Sequence, residues 1–275
     1  WSVFVPPLQS EHSISKSQSG LVFGSCIAAF TLSMLVSGRL LQNKRYRIIG
    51  MIGGLLFASG YLVGSFSSGN FTALVMGFGI IAGVGIGFSY ICPLSLCLNW
   101  FPERKGLVTG IIVAGFGCGA IAYVKIADFM LSSGVPVLEA LRWIGLASGG
   151  IVMFSSLFFM PPRRDENVKS PETGAPLLTL LGSRHFIFLS IGMFCGTFGG
   201  LLIVGNLKPV GIILGLAPEG ASLAVIVFSI GNAIGRLLWG MLFDRLGSIT
   251  IASCLMILGL SALAMEFTGG SYLLY

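Results

Sequence analysis

A chain of 275 residues in which 55% are hydrophobic and 9% charged carries far too much apolar side chain for a water-soluble fold, where roughly a quarter of residues are charged. Its net charge of +6 would suit a nucleic-acid binder, but the basic residues gather in short segments between apolar runs, which makes the charge a topology signal instead. No Ser/His/Asp, Cys/His or metal-ligand cluster stands among so few polar residues, so an enzyme, a metal and a cofactor are not expected.

The chain opens with "WSVFVPPL", read as the tail of a helix already under way, and closes with "SYLLY", read as the start of another. It is therefore expected to be an internal piece of a longer protein. Between these ends lie eight apolar runs long enough to cross a bilayer, at 19–41, 48–66, 72–98, 107–131, 142–160, 185–207, 220–243 and 248–265. The reading is an all-α, polytopic membrane protein. Of the 16 Lys and Arg, 11 fall in alternate loops: Arg39, Lys44, Arg45 and Arg47; Arg104 and Lys105; Arg163, Arg164, Lys169 and Arg184; and Arg245. The positive-inside rule places those loops in the cytoplasm. Residues 1–160 then form a six-helix half with its first helix partial. Residues 161–184, rich in proline and charge, form a cytoplasmic linker. Residues 185–275 hold helices seven to nine and the start of a tenth.

Glycines four apart recur, as Gly20 and Gly24, as Gly79, Gly83 and Gly87, and as Gly115 and Gly119. That spacing makes a smooth face on which helices approach closely. "GFGCGA" at 115–120 matches a dinucleotide fingerprint in letters alone; it lies mid-span, without the preceding strand that a pyrophosphate site requires. Lys125 and Asp128, near the outer end of the fifth span, are placed to neutralise each other as an intramembrane pair. Tyr90 either lines a cavity or sits at an interhelical contact. His12 and His185 read as interfacial residues, and the six cysteines as small apolar fillers.

The eighth span holds an arginine, Arg236, about 12 Å along the helix from Asp244. It reads as a snorkelling side chain, as half of a structural ion pair, or as an anion-binding cation. Ser229, Asn232 and Arg236, at i, i+3 and i+7, form one polar stripe on an otherwise apolar span, which favours a water-filled cavity over lipid. A guanidinium stays charged and offers a planar fork of donors matched to a carboxylate. The residues thus point to a carboxylate-binding site at Arg236, with Asn232, Ser229 and Tyr90 as neighbours.

Two motifs carry a family resemblance. Gly240, Asp244, Arg245 and Gly247, spaced G-x-x-x-D-R-x-G, resemble motif A of major facilitator transporters. The first-half counterpart "SGRLLQNKRYR" keeps Gly38 and Leu40 but has Gln42 at the acidic position and Arg45 at the second glycine. The segment 77–120, with its glycine-rich fourth and fifth helices, Tyr90, Trp100-Phe101-Pro102, Gly106 and Thr109-Gly110, resembles the oxalate:formate antiporter family, related to the monocarboxylate transporters. The resemblance implies a major facilitator fold of two six-helix halves, the second truncated here. It implies a transporter of a small organic mono- or dicarboxylate working by alternating access in the cell membrane; the oligomeric state stays open, with a monomer expected, and the placement of the charges argues against a nucleic-acid partner. An arginine on the eighth helix binds the dicarboxylate in that family, which assigns the role to Arg236. Monocarboxylate transporters carry Asp-x-x-x-Arg there, whereas this chain has Asn232-x-x-x-Arg236. Asparagine cannot cycle a proton, so exchange or uniport is favoured over proton symport. A non-transporting sensor on the same fold is the reading from another class.

Overall fold

A computed structural model describes residues 1–43, 45–162, 182–213 and 217–266. Among these, all regular structure is helical. We number the helices α1 (Val5–His12), α2 (Lys16–Leu40), α3 (Tyr46–Ser65), α4 (Phe71–Trp100), α5 (Lys105–Ser132), α6 (Val137–Ser156), α7 (Arg184–Ile213), α8 (Pro218–Leu246) and α9 (Ile249–Glu266). Eight of these correspond to the apolar runs, and α1 takes the place of the expected helix tail. The start of a tenth helix and most of the linker, including Arg163, Arg164 and Lys169, lie outside the described residues.

Helix starts follow local chemistry. Ser15 opens α2 through a capping box, its Oγ accepting from the Gln18 N–H at 3.2 Å while Gln18 Oε1 accepts from the Ser15 N–H at 2.9 Å. Lys16 is therefore the first residue of α2. Asn70 caps α4 by accepting from the Ala73 N–H at 3.2 Å. The sixth span departs most from expectation, running Val137–Ser156 instead of 142–160. Pro136 at the N-cap starts it early, with Glu139 in the first turn, and these polar letters hide the start from a hydropathy count. Pro161 and Pro162 follow an apolar but non-helical stretch that the same count had added to its end. Within α4, Val75–Ile81 is π-helical, a local widening that composition does not announce.

In the bilayer, lipid is as apolar as leucine, so close packing of small residues takes over the role that hydrophobic burial has in water. α3 packs between α4 and α6, and α2 packs on α4. Gly54 on α3 comes so near α6 that a Cβ there would lie 2.9 Å from the Gly149 carbonyl oxygen. The glycine stripes prove to be of two kinds. Gly83 abuts α2, where a Cβ would meet the Cys26 carbonyl at 2.6 Å, and Gly79 and Gly87 meet Ser25 and Ser33. Gly20, Gly24, Gly115 and Gly119 have no such neighbour within 4 Å. Equal spacing therefore marks a closed seam on α4 and open faces on α2 and α5.

α5 belongs by sequence to the first half, yet packs far more on α8 than on α4 or α6. This crossing links residues on either side of the linker and positions the site.

Candidate functional site

α5 begins after Arg104, whose side chain makes no cap hydrogen bond, leaving the first-turn N–H groups in need of an acceptor. Asp244, at the end of α8, supplies it. Its Oδ1 accepts from the Gly106 N–H at 2.8 Å and its Oδ2 from the Leu107 N–H at 2.8 Å. A carboxylate across two donors at a helix N-terminus satisfies both orphan groups and meets the positive end of the helix dipole. The approach depends on glycine. Gly106 and Gly240 face each other so closely that a Cβ on either would collide with the other's carbonyl oxygen. Gly247 ends α8 at φ +62°, a left-handed value that favours glycine, and its N–H bonds back to the Phe243 carbonyl at 2.9 Å. Arg245 is exposed in the last turn. Each of the four motif positions thus has a local place: close approach at Gly240, clamp at Asp244, exposed cation at Arg245, helix stop at Gly247.

One turn further into the membrane, α5 passes α8 at Gly110, where a Cβ would lie 2.7 Å from the Arg236 carbonyl. Arg236 therefore stands at the same crossing as the clamp. Its side chain is exposed, and its Nε donates to Asn232 Oδ1 at 2.7 Å. That bond fixes the guanidinium plane and leaves the terminal NH2 edge as the fork suited to a carboxylate. Tyr90 of α4 lies within electrostatic reach of Arg236, and its ring meets Phe30 of α2 edge-on at 5.5 Å. Tyr90 is thus an interhelical contact that feels the charge of the arginine. Ser229 is buried and donates to the Val225 carbonyl of its own helix at 2.7 Å. The structure pairs Arg236 with Asn232 and turns the Ser229 hydroxyl back onto α8.

Lys125 and Asp128 both lie on α5. Lys125 is exposed and Asp128 half-buried. Arg142 and Glu139, on α6, form an ion pair at 3.6 Å. The same region holds a contact that the sequence did not suggest, a hydrogen bond between the Tyr123 and Ser148 hydroxyls, which ties α5 to α6. His12 ends α1 beside Gly69, and the His185 side chain lies outside the described residues. Among the described residues, no three His, Cys, Asp or Glu stand together as a metal site. "GFGCGA" lies inside α5.

The family model of the Major Facilitator Superfamily matches residues 1–275. The chain is 27% identical to the Escherichia coli (strain K12) "Uncharacterized MFS-type transporter YhjX", over 96% of this chain and 67% of the relative. It is 25% identical to the oxalate:formate antiporter of Oxalobacter formigenes, over 96% of this chain and 63% of the relative. It is 27% identical to human monocarboxylate transporter 7, over 57% of this chain and 30% of the relative. It thus spans two thirds or less of the length of these relatives, all of them named as transporters or antiporters. With apolar helices of membrane-crossing length and a family match from end to end, the chain is an integral multi-pass membrane protein that belongs to the major facilitator superfamily.

Proposed function

We propose that the protein containing this chain carries a small organic mono- or dicarboxylate across the cell membrane by alternating access, with exchange or uniport favoured over proton symport. The observation that carries the proposal is the Asn232-held guanidinium of Arg236 at the α5–α8 crossing. A charged side chain within the membrane costs a few kcal/mol, and a bound carboxylate offsets that cost by pairing with the guanidinium fork. Substrate thereby favours closing an apolar gate over the site, which couples binding to the conformational change. Tyr90, in electrostatic reach of Arg236, is the candidate for a further hydroxyl contact to the bound carboxylate. The Asp244 clamp holds α5 against α8 at the end carrying the basic loops, the cytoplasmic side by the positive-inside rule.

Asn232 is the residue that separates exchange from proton symport, because its carboxamide does not titrate. The 27% identity to human monocarboxylate transporter 7 and the 25% identity to the oxalate:formate antiporter support a carboxylate as cargo without choosing between them. The test is uptake of labelled formate, pyruvate and oxalate into proteoliposomes holding the full-length protein. Arg236→Gln is expected to abolish carboxylate flux. Arg236→Lys, which keeps the charge but loses the fork, is expected to lower it about tenfold to hundredfold. Normal flux in both variants would remove Arg236 from the mechanism, and uptake that acidifies the lumen would replace exchange by proton symport.

A further inference from the structure

A recess of about 270 Å³ opens between the start of α3 and the residues after α6, lined by Arg45, Arg47, Ile48, Phe159 and Pro161. Its lining residues belong to the start of α3 and the segment after α6, and none is on α5 or α8. Its volume is below the roughly 300–1,000 Å³ that encloses a drug-sized molecule, so it suits a small group or the end of a larger one. Two of the five lining residues are arginines, and none is acidic. Arg47 Nε donates to the Phe159 carbonyl at 3.2 Å, which fastens that guanidinium beside the apolar wall. Arg45 is the N-cap residue of α3; no side chain caps the helix and no acidic residue stands in its first turn. The recess therefore combines two guanidiniums with an uncapped helix N-terminus, a donor set made for a phosphate.

The other wall says what the phosphate is attached to. Ile48 lines the recess and heads a stripe of exposed apolar residues on α3, Ile48, Ile52 and Leu55, at i, i+4 and i+7. Phe154 and Phe158 are likewise exposed at the end of α6 and just beyond it. The cationic recess thus sits at the foot of an apolar track that climbs a membrane-spanning helix. A free phosphate or nucleotide has no use for that track, whereas an acyl chain fits along it. Basic pockets at the membrane boundary between helices suit anionic headgroups.

We infer that Arg45 and Arg47 form a binding site for the phosphate headgroup of an anionic phospholipid, with an acyl chain lying along Ile48, Ile52 and Leu55. Such a lipid bridges α3 and α6 from outside. The inference rests on the chain being a membrane protein and is independent of what it transports.

Native mass spectrometry of the full chain in detergent tests it, using phosphatidylglycerol and phosphatidylcholine of matched acyl chains. Wild type should retain phosphatidylglycerol in preference to phosphatidylcholine. Arg45→Gln with Arg47→Gln should weaken phosphatidylglycerol retention about thirtyfold, whereas Lys16→Gln, at the other end of the membrane, should not. Equal retention of the two lipids by wild type overturns the site without recourse to any variant. Unchanged retention in the double variant overturns it as well. Inorganic phosphate at millimolar concentration should leave the lipid bound; full displacement by phosphate alone would make this a free-anion site and overturn the lipid assignment.

Discussion

The turn after α8 and the turn after α2 share a spacing, Gly240, Leu242, Asp244 and Gly247 in one and Gly38, Leu40, Gln42 and Arg45 in the other, yet they are built differently. In the later turn, Gly247 takes φ +62° and stops α8, and Asp244 closes on the first turn of α5. In the earlier turn, α2 runs into a 3-10 segment over Leu41–Asn43. Arg45 stands at φ −87° where the copy has glycine, and Gln42 is exposed. A non-glycine residue does not cheaply take the left-handed conformation, so the first turn leaves α2 along another path and presents arginines to the membrane boundary. One spacing thus serves as a clamp in one place and as a cationic edge in the other. What separates them is a carboxylate and a glycine.

The largest effect is expected from Gly106→Val. Its Cβ would collide with the Gly240 carbonyl, so α5 and α8 must separate, at a cost of about 3 kcal/mol. A cysteine placed at Leu107 in a cysteine-free background should then react rapidly with a membrane-impermeant thiol reagent applied on the loop side. Asp244→Ala comes next. Losing two charge-assisted bonds at an exposed helix start is worth about 1–2 kcal/mol, so the same cysteine should become about fivefold to thirtyfold more reactive. If its reactivity stays at the wild-type level, the two turns are equivalent and the contrast between them collapses. Asp244→Asn keeps one acceptor and should fall between Asp244→Ala and wild type. Gln42→Asp should change thermal stability by less than about 0.5 kcal/mol, because a carboxylate alone does not restore the glycine-dependent path. A large gain from that single change would show that the carboxylate is sufficient.

Hydropathy made the helical architecture legible because each span is long and apolar, and α2, α3, α5, α8 and α9 begin and end within a few residues of expectation. It failed at α6, where Pro136 and Glu139 open a helix with polar letters, and it gave no sign of the π-helical segment in α4. The polar stripe on α8 revealed Arg236 and Asn232, but Ser229 shares their face only in projection, since its hydroxyl returns to the Val225 carbonyl. Glycine spacing revealed that smooth faces exist and not which of them are covered. Gly83 and Gly119 look alike in sequence, and only the path of α2 against α4 separates them. The place of Asp244 in a motif was readable from the spacing. Its donors were not, because they lie 138 and 137 residues away on a helix that joins the clamp through backbone alone.

That last feature bears on how the clamp can vary during evolution. The donors on α5 are peptide N–H groups, which every residue except proline possesses. Substitutions at position 107 therefore leave the donor in place, and those at position 106 are limited by bulk alone. Asp244 has no side chain with which to co-vary, so statistical coupling between positions would pass over the contact even in a deep alignment. Loss of the clamp by drift is therefore a one-sided event, needing a change at Asp244 or at the facing glycines.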